Sequence, residues 1–512
     1  MAKLFKDYTQ DQSYLFPPNL EELIPENHLV RVVSDFIDQI DITSILCSYP
    51  GGGTISDHPR MLLKVIVYAY IEKIYSGRQI AKALRENINF MWLAGGNQAN
   101  FRTINRFRSQ RLSGNIQAVF RSMIEYLIDS GYIRFEKYFL DGTTIEANAR
   151  ASSYVWAKNV KRYKDALEEK VRKLFEEIDR ITEAENAEYG DEDLEELGEN
   201  AIINSETMRQ KIEEVNQILN ESPNNKEAKQ VKRKLEREHL PRMEKYEEQL
   251  EILGERNSYS KTDPDATMMR VKPVIREAVV KPAYNVQIGT ENQFILGYSV
   301  HNNSSDSRVM GEHLVQIKET LGKIPKTWIA DAGYGYEENY NILERENIAA
   351  VVKYKGYDKK KSSRDEKYGR DKFIYNEETD SFSCPAGKQL CFDHEREEKR
   401  KSGYVSKRRE YRCRECEACP EKPLCSPNSK GGRHLKVSWE LERYTEQAKK
   451  TLDSEEGKKL RKQRSCDVEA VFGMIKGNRQ IRRFHLRGIE NVEVEMGLVS
   501  LAHNILKTVA VR

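Results

Sequence analysis

Two aspartates in this sequence each end an apolar run and come just before a glycine-containing segment. Asp141 follows "KYFL" and Asp331 follows "TWIA". Such runs are typical of buried strands, and side chains at the carboxyl ends of strands face the crevice where open α/β sheets bind ligands. Two carboxylates there would suit a divalent cation such as Mg²⁺, which prefers oxygen ligands. For either position alone, an aspartate that only forms a turn is the alternative.

A third acid lies on a segment with helical periodicity, "RSCDVEAVFGMIKGNRQIRRFH". The predicted helix buries a stripe of four apolar residues, Val468, Val471, Phe472 and Ile475. Glu469 and Lys476 are seven residues apart at the margin of this stripe, so they project from nearly the same side. We expect a carboxylate that reaches the crevice, with basic residues nearby for phosphate. The alternative is a Glu that pairs with Arg or Lys along an exposed helix.

Charge is distributed unevenly along the 512 residues. The net charge is only +3, yet residues 458–487 contain ten Lys or Arg and two acids. This composition suits a polyanionic partner. The N-terminus lacks the apolar stretch of a signal peptide, and charged residues interrupt the most apolar run, so we expect a cytoplasmic protein without a membrane segment.

The N-terminal part, residues 1–135, has helical periodicity from residue 24 onward. "SGRQIAKALREN" predicts a short helix, and after a turn "FRTINRFRSQRL" predicts a second helix that carries several arginines. Helix, turn and Arg-bearing helix fit a DNA-binding domain in which Arg102 and Arg106 contact DNA. A helical bundle with a solvated basic face fits this stretch equally well.

The next region, residues 151–261, is rich in charged helix formers. Its apolar residues recur at alternating steps of four and three, which predicts a coiled-coil-like helical insertion, and Pro241 is expected to kink or break its last helix. The repeat leaves open whether these helices pair within one chain or with a second copy.

Residues 136–150, 262–380 and 437–512 are expected to form the core. "AYNVQIGTENQFILGYSV" predicts a β-hairpin, and helices alternate with strands after it. The order predicts a mixed α/β sheet with helices on both faces. Asp306 is expected to cap a helix, and Asp263 and Asp265 to form turns.

Residues 381–436 contain six of the eight cysteines, in "CPAGKQLC" and "YRCRECEACPEKPLCSPN". In a reducing compartment this density favours metal or thiol chemistry, and two-residue gaps let thiolates converge on one tetrahedral ion. We expect a structural zinc site in this insertion; free thiols or a redox pair are the alternatives. The predicted ligands are Cys384, Cys416, Cys419 and Cys425, with Cys413 as a substitute.

Three motifs together resemble those of bacterial insertion-sequence DDE transposases: "FLDGTTIEANA", "DAGYGYEENY" and "RSCDVEAVFGMIKGNRQIRRF". The resemblance implies an RNase H-like core in which Asp141, Asp331 and Glu469 bind two Mg²⁺ or Mn²⁺ ions. Lys476 matches the lysine of the third motif. Related groups place a Tyr and an Arg before the Glu, where this chain has Lys462 and Ser465, with Arg464 one residue away.

The resemblance also implies the reaction and the partner. Such an enzyme, as a homodimer or larger assembly associated with the nucleoid, would bind terminal inverted repeats, hydrolyse the ends and join the 3′-OH to double-stranded target DNA. The expected DNA contacts are Arg102, Arg106, Arg464, Lys476, Arg479, Arg482 and Arg483. A nuclease without strand transfer and a non-catalytic, domesticated zinc-bearing DNA-binding protein are the rivals. Glu146 belongs to the first motif, and the sequence assigns it no role.

Overall fold

The computed structural model describes residues 19–511 except 50–54, 190–201, 272–278, 359–361, 401 and 430. Its N-terminal region is helical, as predicted. The helices are α1 (Leu29–Gln39), α2 (Thr43–Cys47), α3 (Pro59–Ile71), α4 (Gly77–Glu86), α5 (Ile88–Leu93), α6 (Phe101–Arg106) and α7 (Ile116–Asp129). The Asn100 side chain accepts the backbone N–H groups of Arg102 and Thr103 and so caps α6, the arginine-bearing helix.

The charged insertion packs on itself. It contains β2 (Tyr154–Trp156), α8 (Ala157–Tyr189), α9 (Ser205–Glu221), α10 (Lys226–Lys234), α11 (Leu240–Leu253) and β3 (Ser258–Ser260), and it follows β1 (Lys137–Glu146). Strands β2 and β3 pair and close its base. The four helices share a separate hydrophobic cluster, so they pair within one chain. Pro241 lies in the first turn of α11, directly after a π-helical turn, Leu235–His239, that joins α10 to α11, so the helical path is irregular there and does not break.

The central sheet is mixed. It contains β1, β4 (Thr267–Val271), β5 (Val279–Glu291), β6 (Phe294–His301), β7 (Thr327–Ala330) and β8 (Ala349–Val352), with α12 (Asp306–Leu321) and α13 (Glu337–Arg345) between its later strands. Strand β5 pairs with β4 along its first part and with β6 along its second part. From β5 onward, the strand order in the sheet is β5, β1, β7, β8. Strand β5 is antiparallel to β1, while β7 and β8 run parallel to it.

The cysteine-rich region forms a second, antiparallel sheet that begins before residue 381. Its elements are α14 (Ser363–Tyr368), β9 (Ile374–Asn376), β10 (Ser381–Ser383), β11 (Gln389–Lys399), β12 (Val405–Arg412), α15 (Lys422–Cys425) and β13 (His434–Val437). Phe382, Leu390 and Tyr411 lie in a small core of its own. Helices α16 (Trp439–Asp453), α17 (Glu455–Gly473) and α18 (Ile489–Val511) then complete the chain.

Helices cover both faces of the central sheet. Successive residues of β1 point to opposite faces. Tyr138 reaches α12, where its hydroxyl lies 2.8 Å from Nε2 of His313, and Asp141 reaches α17 on the other face. Helix α18 is long and apolar enough to cross a membrane, but 72% of its most apolar window is buried. It packs against β6, α3 and α7, and one continuous hydrophobic core therefore joins the N-terminal helices to the sheet.

Candidate active site

Strand β1 extends beyond its parallel neighbour β7. The two strands pair only over residues 137–139 of β1, whereas β5 pairs with residues 139–146. Asp141 therefore lies just beyond the last residue paired with β7, and Asp331 directly follows that strand. Asp331 lies at the carboxyl end of β7, as its apolar flank predicts. The prediction that Asp141 ends its strand is wrong, because β1 continues to Glu146; Asp141 lies where the parallel pairing with β7 has stopped.

Gly142 has a different role from the one that its position suggests. The strand continues through it to Glu146, so Asp141 precedes no turn. A Cβ on Gly142 would lie 2.4 Å from Nε2 of Gln287 and 2.5 Å from Oδ1 of Asp306. Glycine is needed because other side chains approach the backbone closely, not because the chain turns.

Helix α17 brings Glu469 towards Asp141, with an arginine between them. Nη1 of Arg464 lies 3.2 Å from Oδ2 of Asp141, and Nη2 lies 2.9 Å from Oε1 of Glu469. The Arg464 side chain is only 14% exposed. The position predicted to bind phosphate therefore bridges two of the three predicted carboxylates.

The three carboxylates offer the hard oxygen donors that Mg²⁺ prefers. Among the described residues, no three His, Cys, Asp or Glu side chains stand close enough to hold a metal as they are placed. The guanidinium of Arg464 lies between two of the carboxylates and compensates their charge. The donor atoms are of the type that Mg²⁺ prefers, and Arg464 supplies the positive charge between two of them.

Asp141 is mostly buried, and its burial dominates its titration. Desolvation raises the pKa of Asp141 to about 6; the Arg464 cation lowers it and the Asp331 carboxylate raises it further. A carboxyl group whose pKa is raised towards physiological pH is typical of sites that bind cations or protons, although structural ion pairs also show such shifts.

This pKa predicts how metal-free protein responds to pH. Because the folded pKa of about 6 exceeds the ordinary value of 3.8, ionised Asp141 costs up to about 3 kcal/mol of stability at pH 7. The penalty disappears as pH falls through 6 towards 4. Asp141→Asn should therefore be more stable than wild type in urea unfolding with EDTA at pH 7.5, with a gap that closes near pH 4. Equal stability at pH 7.5 would contradict the assignment.

Lys476 is anchored to the same strand. It lies in a π-helical turn, Met474–Asn478, that continues α17. Its Nζ donates to Oγ1 of Thr143 at 2.5 Å and to the carbonyl of Thr144 at 2.9 Å. Burial, followed by the Arg482 cation, lowers the pKa of Lys476 to about 8. The lysine thus occupies the edge of β1 that β7 leaves open, close to Asp141.

A polar cluster behind β1 escaped prediction. Oδ1 of Asp306 accepts hydrogen bonds from Asn285 at 2.8 Å and from Gln287 at 2.9 Å, and the Tyr334 hydroxyl donates to Oε1 of Gln287. The prediction that Asp306 caps α12 is wrong, because its carboxylate is turned towards β5. The sequence signal that could have indicated this cluster is Gln287, a polar residue among the buried residues of β5.

The predicted DNA-contacting arginines divide into exposed and buried ones. Arg102 and Arg106 are exposed on α6, and Arg482 and Arg483 are exposed after α17. Arg479 is only 3% exposed, and its guanidinium donates to the carbonyls of Tyr70 and Ala502. Its role is to join α3 to α18, so we do not count it among the DNA contacts.

Five cysteines line one small cavity in the cysteine-rich region: Cys384, Cys413, Cys416, Cys419 and Cys425. Backbone N–H groups donate to two of the sulfurs, from Lys388 to Cys384 at 3.2 Å and from Arg433 to Cys416 at 3.3 Å. Burial and the adjacent Cys416 raise the pKa of Cys413 to about 12. Cys391, by contrast, is exposed on β11.

Two parts of the chain match known families. Residues 18–110 match a family described as a transposase domain (DUF772), and residues 383–509 match one described as a transposase DDE domain. The second match contains Glu469 and the cysteine cluster, while Asp141 and Asp331 lie before it. No curated protein and no solved structure matches the chain.

Proposed function

We propose that this chain is a DDE transposase of the insertion-sequence type, which cleaves the ends of a DNA element and joins them to target DNA. The matches of residues 18–110 to a transposase domain and of residues 383–509 to a transposase DDE domain support this proposal. The observation that carries the proposal is the bridge from Asp141 through Arg464 to Glu469, beside Asp331 at the end of the next strand. These groups come from β1, α17 and the end of β7. They form an acidic site in an RNase H-like sheet.

Asp141, Asp331 and Glu469 would hold the divalent ions, Mg²⁺ or Mn²⁺. When bound, two such ions activate the attacking oxygen and stabilise the leaving oxygen of a phosphodiester. The guanidinium of Arg464, whose planar fork is well suited to phosphate, would pair with a DNA phosphate when the carboxylates hold metal. The phosphate also favours the charged form of Lys476, since an adjacent anion raises a depressed lysine pKa.

A structural zinc ion in the cysteine-rich sheet is part of the proposal. Backbone N–H groups that donate to sulfur stabilise thiolates, as zinc ligation requires. The five cysteines that line the cavity exceed the four ligands of one zinc ion. The proposed set is Cys384, Cys416, Cys419 and Cys425, with Cys413, which packs in the small core with Cys416, as the substitute.

An assay with paired DNA ends tests the function. The substrate should carry the short inverted repeats that flank the gene, and Mg²⁺ should start the reaction. We expect cleavage that leaves a 3′-OH at the element's end, followed by joining to a target duplex through a dimer or larger assembly. Cleavage without joined product would favour the nuclease. Binding without cleavage in Mg²⁺ or Mn²⁺ would favour the non-catalytic DNA-binding protein.

A further inference from the structure

A basic segment runs along the edge of β1 that β7 leaves open. We call residues 476–488 the basic loop; it joins α17 to α18. The backbone N–H of Glu146 donates to the carbonyl of Arg482 at 3.0 Å, and the N–H of Phe484 donates to the carbonyl of Glu146 at 2.9 Å. Glu146 and Arg483 form a parallel bridge. The basic loop therefore takes the place beside β1 that a longer β7 would occupy.

Side chains of the first motif orient this loop. The Glu146 carboxylate, 19% exposed, accepts Nζ of Lys281 at 2.8 Å and lies 4.0 Å from Nη1 of Arg483. Nδ2 of Asn148 donates to the carbonyl of His485 at 2.7 Å, and the carbonyl of Asn148 accepts Nε of Arg487 at the same distance. The motif "IEAN" thus contacts the loop through both backbone and side chains.

The loop is held at its two ends as well. At its start, Lys476 donates hydrogen bonds to Thr143 and Thr144 of β1. At the other end, Oδ1 of Asp263 accepts the N–H of Gly488 at 3.2 Å, and Oδ2 of Asp265 accepts the N–H of Ile489 at 2.9 Å. These two acids hold the start of α18. Anchors at the beginning, middle and end fix the course of the loop relative to Asp141.

The anchored loop presents positive charge. Around its middle, the Glu146 carboxylate lies beside Lys281 and Arg483, and the buried Glu495 carboxylate accepts the N–H groups of His485 and Leu486. Arg482 and Arg487 belong to the same loop and donate to the carbonyls of Lys476 and Asn148. The Arg483 side chain remains 50% exposed. A guanidinium carries five N–H donors, and the contacts within the chain use only some of them. The remaining donors suit the phosphates of a nucleic acid backbone.

The anchored loop lies at a fixed distance from Asp141. Glu146 is five residues beyond Asp141 on one unbroken strand, a distance of about 16 Å, and its side chain points to the opposite face of the sheet. We propose that Glu146 and Asn148 are positioning residues that hold the basic loop, with the guanidinium of Arg483, against phosphates of the DNA backbone. This inference rests on the proposed function.

Glu146→Gln tests the inference because charge and positioning predict opposite results. Removal of a negative charge from a basic surface would by itself tighten DNA binding. If Glu146 positions Arg483, the variant should instead bind end DNA on the order of tenfold more weakly at 0.1 M salt, and its salt dependence should fall by about 0.9, the value for one phosphate contact. Arg483→Gln should give the same losses, and the double variant should lose no more than either alone.

Glu410→Gln is the matched control. Glu410 is 10% exposed on the second sheet and, like Glu146, faces one lysine and one arginine: Lys436 at 3.2 Å and Arg396 at 3.5 Å. It should leave the salt dependence unchanged. Phosphate ethylation of wild-type complexes should interfere with binding at the phosphate that Arg483 contacts, and Glu146→Gln should lose this interference.

Tighter or unchanged end binding by Glu146→Gln would overturn the inference. So would losses that add to those of Arg483→Gln, or a lower thermal stability with an unchanged salt dependence, because these results describe a purely structural residue. Wild-type protein that binds no end DNA would overturn the proposed function together with this inference. Normal cleavage by wild type with an unaltered Glu146→Gln salt dependence would overturn this inference alone.

Discussion

Asp141→Asn should reduce cleavage of the element's end by at least about a thousandfold while end binding persists. The substitution keeps the shape of the side chain and removes the charge that faces Arg464. Metal ions supply several kcal/mol of transition-state stabilisation, and about 4 kcal/mol corresponds to a factor of a thousand in rate. Single-turnover cleavage of a labelled end, with DNA binding measured in parallel, gives the two quantities.

The matched control is a carboxylate of the N-terminal helices. Glu125 is half exposed and pairs with Arg121 one turn away on α7, so Glu125→Gln should leave cleavage unchanged. Asp331→Asn and Glu469→Gln should lose activity as Asp141→Asn does. Cleavage by Asp141→Asn at the wild-type rate would contradict the proposed chemistry.

Asp141→Asn should raise the free energy of unfolding of the metal-free protein and abolish DNA cleavage. In the absence of metal, burial of the ionised Asp141 carboxylate lowers the free energy of unfolding. Such opposition between stability and activity is typical of sites whose charge is arranged for function. A variant that lost cleavage because it unfolded would move both quantities in the same direction, so the pair of measurements separates the two explanations.

The local pattern of the sequence predicts which residues lie at the site. Apolar runs placed Asp331 at the end of β7 and Asp141 on the adjacent strand β1, because buried strands are encoded by neighbours in the chain. The "GTEN" segment predicted the hairpin of β5 and β6, whose turn has positive φ at Asn292 and Gln293.

Roles that depend on distant partners could not be predicted in this way. Gly142 is required by Gln287 and Asp306, and Arg479 is buried because α3 and α18 close around it. Glu146 has a role only once the basic loop lies beside β1. Periodicity describes the chain near a residue and contains no information on which remote segment will pack there.

The second sheet escaped prediction for a different reason. Strand β11 is exposed along most of its length and is rich in charge, so it lacks the alternation of apolar and polar residues that identifies a strand. Its pairing with β12 places Arg396, Arg408 and Arg409 near carboxylates of the opposite strand. These cross-strand charge pairs can be identified only once the register of β11 and β12 is known, and they stabilise the sheet in place of apolar contacts.

We expect protein purified without chelator to contain one zinc ion per chain, and Cys416→Ser to lose it. The cysteine-rich sheet has a small core, formed by Phe373, Phe382, Leu390, Tyr411, Cys413, Leu435 and Val437. A unit of this size rarely gains more than about 3–5 kcal/mol from a hydrophobic core, and small units of this kind are commonly stabilised by a metal or disulfides. All described cysteines are free thiols, so the proposed zinc ion would supply this stabilisation.

Loss of zinc should therefore open this sheet and leave the central core folded. Limited proteolysis should cut Cys416→Ser between residues 363 and 437, while α18 and the central sheet stay protected. Cys391→Ser is the matched control, because Cys391 is exposed on β11 away from the cavity. It should retain zinc and resist protease as wild type does. Reduced wild-type protein that contains no zinc and still resists protease would show that the small core suffices without a metal.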